Sequence, residues 1–97
     1  MNSRGRPNYD NTTHLTYTQL ANWTAPSNGY LFCWVVCLDN QLIDLNINGT
    51  AFDQTVSGAA YLQLALPFFF VVSSGDNFKF KAGADNQKTT GWFAPEI

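Results

Sequence analysis

Few side chains in this chain could carry chemistry. His14 is the only histidine, and neither a Gly-x-Ser-x-Gly elbow nor a glycine-rich phosphate loop occurs. Cleaving a sugar bond would need two carboxylates held roughly 5–9 Å apart. The pair able to meet that need is Asp44 with Asp53, which a hairpin closed at Asn48-Gly49 sets opposite each other. Such a like-charge pair is costly, so a bulge or longer loop that shifts the register is the expected escape; two carboxylates also fall short of the roughly 6–8 oxygens that calcium takes. Cys33 and Cys37 lie four apart in an apolar run. In a strand their Cα atoms stand about 13 Å apart, beyond the ~7 Å limit for a disulfide, and the spacing matches no zinc motif. Free, inert thiols follow, with no metal, no cofactor and no catalysis expected. Recognition is better served. Asp85, Asn86, Gln87 and Lys88 offer carboxyl, amide and ammonium groups to sugar hydroxyls, and Trp92 offers a flat ring to a sugar C–H face. Trp92 equally suits a core position, since it opens the last apolar run.

The elements that must hold these residues are strands. With 97 residues the chain builds one domain with one small core. At 45% hydrophobic and 12% charged it is unlike a disordered chain. The net charge of −2 and the scattered Arg4, Arg6, Lys79, Lys81 and Lys88 give no footprint for nucleic acid. No stretch approaches the ~20 apolar residues that span a bilayer, so no membrane insertion is expected. Residues 1–11 are polar and aperiodic and read as a leading segment or linker, with 12–97 as the folded domain. Residues 14–20, rich in Thr, Leu and Tyr, read as a first strand. Pro26 and Gly29 bracket a turn, Pro by presetting φ and Gly by accepting φ > 0.

Residues 30–37 are the most informative stretch. Tyr30, Phe32, Trp34 and Val36 share one face, Leu31, Cys33, Val35 and Cys37 the other, and both sets are apolar. A sandwich has one inside and one solvent side, so the second apolar face calls for another chain. Residues 42–56 read as a hairpin with Ile43, Leu45, Ile47 and Phe52 facing the core; Gly49→Ala is expected to cost more than Asn48→Ala. Residues 61–66 form a half-buried strand in which Leu62, Leu64 and Leu66 share a face. Pro67 marks a strand start, an edge or a bulge before Phe68, Phe69, Phe70, Val71 and Val72, again apolar on both faces. Trp34, Phe68, Phe69 and Phe70 are the expected interface between copies. Ser73 to Asp76 turn the chain into Phe78-Lys79-Phe80-Lys81, Phe inside and Lys outside, and after a polar loop residues 92–95 close the fold. Three stretches, at Asn11, Asn22 and Asn48, match the glycosylation acceptor pattern; chance supplies one or two such matches in an Asn-rich chain, and Asn48 is explained by its turn.

Several of these stretches, taken in order, carry a resemblance. Pro7-Asn8-Tyr9, Trp23-Thr24-Ala25-Pro26-Ser27-Asn28-Gly29-Tyr30, Ile47-Asn48-Gly49, Leu66-Pro67-Phe68 with Ser74-Gly75-Asp76, and Phe93-Ala94-Pro95 follow one another at spacings similar to those in the distal, receptor-binding domain of bacteriophage and prophage tail fibres. The resemblance covers nearly the whole chain. It implies an all-β fold, a small jelly-roll-like antiparallel β-sandwich assembling as a homotrimer at a fibre tip. It also implies a place in the virion after assembly in the host cytoplasm, and a host cell-surface glycan or protein as partner. Val72-Ser73-Ser74 stands where that family carries lysines, and Glu96-Ile97 where a Cys-Lys ending is common, so architecture carries over and ligand-binding residues do not. The other readings are a structural trimerisation cap and a free-standing carbohydrate-binding module.

Overall fold

Alternation of burial along each strand sets the architecture. In the stretch Asn77–Ala82, Phe78, Phe80 and Ala82 are buried while Lys79 and Lys81 are exposed, as their order along a pleated strand requires. The computed structural model describes residues 5–37, 42–55, 64–82 and 89–97. Among these the strands are β1 (Thr13–Leu15), β2 (Trp23–Thr24), β3 (Gly29–Cys37), β4 (Leu42–Ile47), β5 (Thr50–Ala51), β6 (Gln54–Thr55), β7 (Leu64–Val72), β8 (Asn77–Ala82) and β9 (Thr90–Pro95). One short helix, α1 (Tyr17–Leu20), lies between β1 and β2.

The strands form two antiparallel sheets, the first ordered β1-β9-β3-β7 and the second β2-β8-β4-β5, with β6 also paired to β4. If β5 and β6 are taken as one interrupted strand, successive strands fall in the first, second, first, second, second, first, second and first sheet. That is the strand order of a jelly roll. The expected small antiparallel sandwich is therefore the fold.

The core lies between the sheets. Leu31, Cys33 and Val35 of β3, Val72 of β7 and Phe93 of β9 face Ile43 and Leu45 of β4 and Phe78 and Phe80 of β8. Phe68 meets Phe80 edge-on at 5.2 Å between ring centroids and Phe70 tilts against Phe78 at 5.2 Å, so these two β7 rings fill the space between the sheets. Each fully buried Phe side chain stabilises the fold by about 1.5–3 kcal/mol relative to exposure.

The structure corrects several expectations. Residues 14–20 are not one strand, because Thr16 starts a helix. Its Oγ1 accepts the Gln19 N–H, and Gln19 Oε1 accepts the Thr16 N–H at 2.8 Å, a capping box that drops Leu20 into the core. Gly29 is extended at the head of β3, where an added Cβ would stand 2.8 Å from the Phe93 ring; close approach, not positive φ, requires glycine there. Pro67 interrupts nothing. The strand β7 runs through it as the edge of its sheet, the position where a missing N–H is tolerated, and residues 61–63 of the expected preceding strand lie outside the described residues.

The hairpin register holds without a bulge. Ile47 faces Thr50 and Asn46 faces Ala51 next to the turn, and Ile43 faces Gln54 and Leu42 faces Thr55 further on, a constant offset. Asn48 and Gly49 have φ of 53° and 88°, as a type I′ turn needs. Between the two paired stretches Asp53 Oδ1 accepts the Leu45 N–H at 3.1 Å in place of a backbone carbonyl. The Phe52 N–H still donates to Leu45 O at 2.7 Å, so only one bond of this pair is replaced, and Phe52 stands half exposed instead of facing the core. The leading segment is tied to the sandwich: Pro7 bridges Glu96, Asn8 N–H donates to Pro95 O, and the Tyr30 hydroxyl donates to Gly5 O.

Candidate functional site

Three surfaces could meet a partner. The outer face of the first sheet comes first, because β3 and β9 are apolar on both sides and only one side fits the core. Its central row crosses all four strands: His14 pairs with Trp92, Trp92 with Phe32, and Phe32 with Phe69. In flanking rows Trp34 lies between Thr90 and Pro67, and Tyr30 between Ala94 and Val71. No Asp, Glu, Lys or Arg occupies these strand positions. Trp34 is 41% exposed and Phe69 and Val71 are each 54% exposed. Trp34 and Trp92 meet edge-on at 5.3 Å, His14 leans on Trp92 at 5.0 Å, and Tyr9 covers Phe32 at 6.3 Å. Between β3 and β7 the rings of Phe32, Trp34 and Phe69, with Pro67, line an apolar hollow of about 360 Å³. The His14 ring is fixed by a 2.6 Å hydrogen bond between Nε2 and Thr90 Oγ1, whose hydroxyl also reaches Leu15 O.

This geometry re-sorts the residues singled out from the sequence. Trp34 and Phe69 stand on the outer face, whereas Phe68 and Phe70 point inward and pack on Phe80 and Phe78. Trp92 is half-buried but not between the sheets; its neighbour Phe93 takes the inward position, so Trp92 joins Trp34 on the apolar face. Asp85, Asn86, Gln87 and Lys88 lie outside the described residues. His14 and Tyr9 were missed as members of the face. The signal for His14 was its placement in the first strand one residue from Leu15, which must face the core.

The second surface is the end of the sandwich where three turns meet. Asp76 Oδ2 accepts the Ser73 N–H at 2.8 Å and Oδ1 accepts from Asn48 Nδ2 at 3.1 Å. Asn48 Oδ1 accepts the Asn77 N–H, Asn28 Oδ1 accepts the Ser74 N–H, and Gly49 N–H donates to Asn46 Oδ1 at 2.9 Å. These side chains satisfy turn backbone and hold the loops rigid.

The third surface is the outer face of the second sheet. Asp44 and Asn46 of β4 stand in register with Lys81 and Lys79 of β8, all on the side away from the core. With Asp53, Ala51 and Ala21 they line a groove of about 320 Å³ in which charged and amide groups stand among apolar atoms. Among the described residues, the side chains of Asp44, Lys79 and Lys81 make no hydrogen bond or ion pair with the protein, and Asp53 uses one oxygen on Leu45. The period-two alternation of polar residues in β4 and β8 was the signal for this face.

Burial pushes the Cys33 thiol up to about 12, so it is protonated and unreactive at neutral pH. Its strand is regular as far as Cys37, which keeps the two Cα atoms too far apart for a disulfide. Among the described residues no group of three or more His, Cys, Asp or Glu could hold a metal ion, and no helix is long and apolar enough to cross a membrane. No family model, curated protein or solved structure matches the chain.

Proposed function

We propose that this chain is a non-enzymatic, homotrimeric adhesion module, the tip domain of a phage-type tail fibre that contacts a host cell-surface receptor. One observation carries the reading: the outer face of the first sheet is an aromatic surface free of Asp, Glu, Lys and Arg across all four strands. A contiguous apolar face of this kind is costly in water and marks an interface. Tyr30 and Phe69 stack at 22°, but the rings across the centre are steeply inclined, Trp34 at 87° to Trp92 and Phe32 at 58° to Phe69. A corrugated surface suits interdigitation with another protein surface better than stacking on a flat sugar chain, which favours assembly over a free-standing carbohydrate module. The three-fold number comes from the resemblance to fibre tips. With this face turned to the axis, receptor contact falls to the second sheet and the loops.

Light scattering at micromolar concentration, coupled to retention on intact bacterial cells, tests the reading. The parent protein is expected at trimer mass and retained. Phe69→Glu, on the outer face, is expected to give a folded monomer that loses retention through lost avidity. Phe68→Ala, on the inner face, is expected to lower the melting temperature at unchanged mass. A monomeric or dimeric parent refutes the assembly, and a trimer retained by no cell surface leaves only the structural cap.

A further inference from the structure

The groove on the outer face of the second sheet has the chemistry of a sugar site. We infer that Asp44, Asn46, Asp53, Lys79 and Lys81 bind a neutral hexose-containing oligosaccharide, an assignment that rests on the adhesion reading above. Antiparallel pairing sets Asp44 beside Lys81 and Asn46 beside Lys79, in two adjacent rows on one face of β4 and β8. Directly opposed residues have Cβ atoms about 4.5–5.5 Å apart, so the Asp44–Lys81 row offers an acceptor next to a donor. A carboxylate only accepts hydrogen bonds and an ammonium only donates. A sugar hydroxyl does both, so two hydroxyls on neighbouring ring carbons satisfy an Asp–Lys row, one giving its proton to the carboxylate and the other taking one from the ammonium. The Asn46 carboxamide already accepts the Gly49 N–H through Oδ1, which fixes its plane and leaves Nδ2 to donate.

Three features make the groove more than a solvated strand face. Asp44 and Lys81 face each other in register without forming an ion pair, so neither is neutralised by the other. Asp53 is clamped by the Leu45 N–H and leaves its second oxygen for an incoming group. Ala21, just beyond α1, lines the groove together with the strand residues, and its volume of about 320 Å³ is enough for one or two sugar rings. The charges select the ligand. Two carboxylates and two ammonium groups cancel, so a sialic or uronic acid gains nothing over a neutral sugar, and recognition is by hydroxyl geometry. The groove lies on the sheet opposite the aromatic face, so it stays open when that face is buried in an assembly.

The test is titration of the full chain with neutral gluco-, galacto- and manno-configured oligosaccharides, with sialylated and uronate-containing ones in parallel, followed by calorimetry at low and high salt. At least one neutral series is expected to bind with an affinity little changed by salt. Asp44→Ala and Lys81→Ala should each weaken it about tenfold or more, as loss of a hydrogen bond to a charged group does, at unchanged melting temperature and mass. Asp44→Asn should restore part of the affinity. No neutral series bound, binding only of the acidic sugars, or full affinity in both alanine variants overturns the groove. Cell retention separates the two claims: a trimer that stays on cells when Asp44 and Lys81 are both alanine keeps the adhesion reading and loses the groove, whereas a parent retained by no cell loses the adhesion reading whatever the sugars show.

Discussion

The Asn48-Gly49 turn offers a measurement whose outcome depends on side-chain contacts that the turn type alone does not predict. Asn48 has φ of 53°, and its carboxamide ties the hairpin to the turn between β7 and β8 by accepting the Asn77 N–H at 2.8 Å and donating to Asp76 at 3.1 Å. In Asn48→Ala both exposed hydrogen bonds go, at about 0.5–1 kcal/mol each. Alanine also tolerates the left-handed conformation less well than asparagine, by roughly 1 kcal/mol. The total is about 2–3 kcal/mol. Gly49→Ala meets only the strain of φ near 88°, because nothing lies within 4 Å of the added Cβ. That strain of roughly 1–2 kcal/mol is offset in part by about 0.4–1 kcal/mol of lost freedom in the unfolded chain, leaving about 1 kcal/mol. The expected order is therefore the reverse of the one the turn type suggests: Asn48→Ala costs more. Urea unfolding at one fixed protein concentration measures it, since assembly would link stability to concentration. Asn48→Gly separates the terms, keeping the backbone and losing the hydrogen bonds, with a cost near 1–2 kcal/mol by the same account. A Gly49→Ala variant less stable than Asn48→Ala would refute the reasoning and show that backbone strain, not the bridge to Asp76 and Asn77, dominates this corner.

Two further outcomes are expected. With its thiol raised from 9.0 to about 12 by burial, Cys33 should resist iodoacetamide at pH 8 until denaturant is added, as mass spectrometry reads; because only the unfolded thiol ionises between those values, the stability it contributes is full below pH 9 and falls as the pH climbs towards 12. Thr16→Ala should cost about 1 kcal/mol by removing the cap on α1, lowering the melting temperature without changing the mass seen by light scattering.

The strands were legible where one local rule decided them. Phe78-Lys79-Phe80-Lys81 alternates because one side of β8 is core and the other water, and Asn48-Gly49 announces its hairpin because both residues tolerate positive φ. Reading failed where rules competed. Residues 14–20 carry strand-like composition, but the Thr16-x-x-Gln19 box outweighs it over a single turn. Phe52 has the parity of a core residue, yet it stands half exposed where the Asp53 carboxylate takes the Leu45 amide and replaces one of the two ladder bonds of the pair. The sites suffered from the same ambiguity. Where a strand is apolar on both sides, as at residues 68–72 and 92–94, its pattern does not say which side turns inward, and only pairing with β3 sorts Phe69 and Trp92 outward and Phe68, Phe70 and Phe93 inward. The groove residues were visible singly, but nothing in the sequence says that β8 runs beside β4.

The turn at Asn48 also bears on chemical ageing. An asparagine followed by glycine is the sequence most prone to deamidation, in which the glycine nitrogen attacks the asparagine side-chain carbon, closes a succinimide and expels ammonia. Here the would-be nucleophile points its N–H at Asn46 Oδ1, while the carboxamide it would attack is held between Asp76 and Asn77. The two partners in that ring closure are thus fixed in other hydrogen bonds for as long as the hairpin stays shut. Damage accumulates only during excursions in which it opens, so the isoaspartate content of an old sample becomes a cumulative record of how often this corner has come undone.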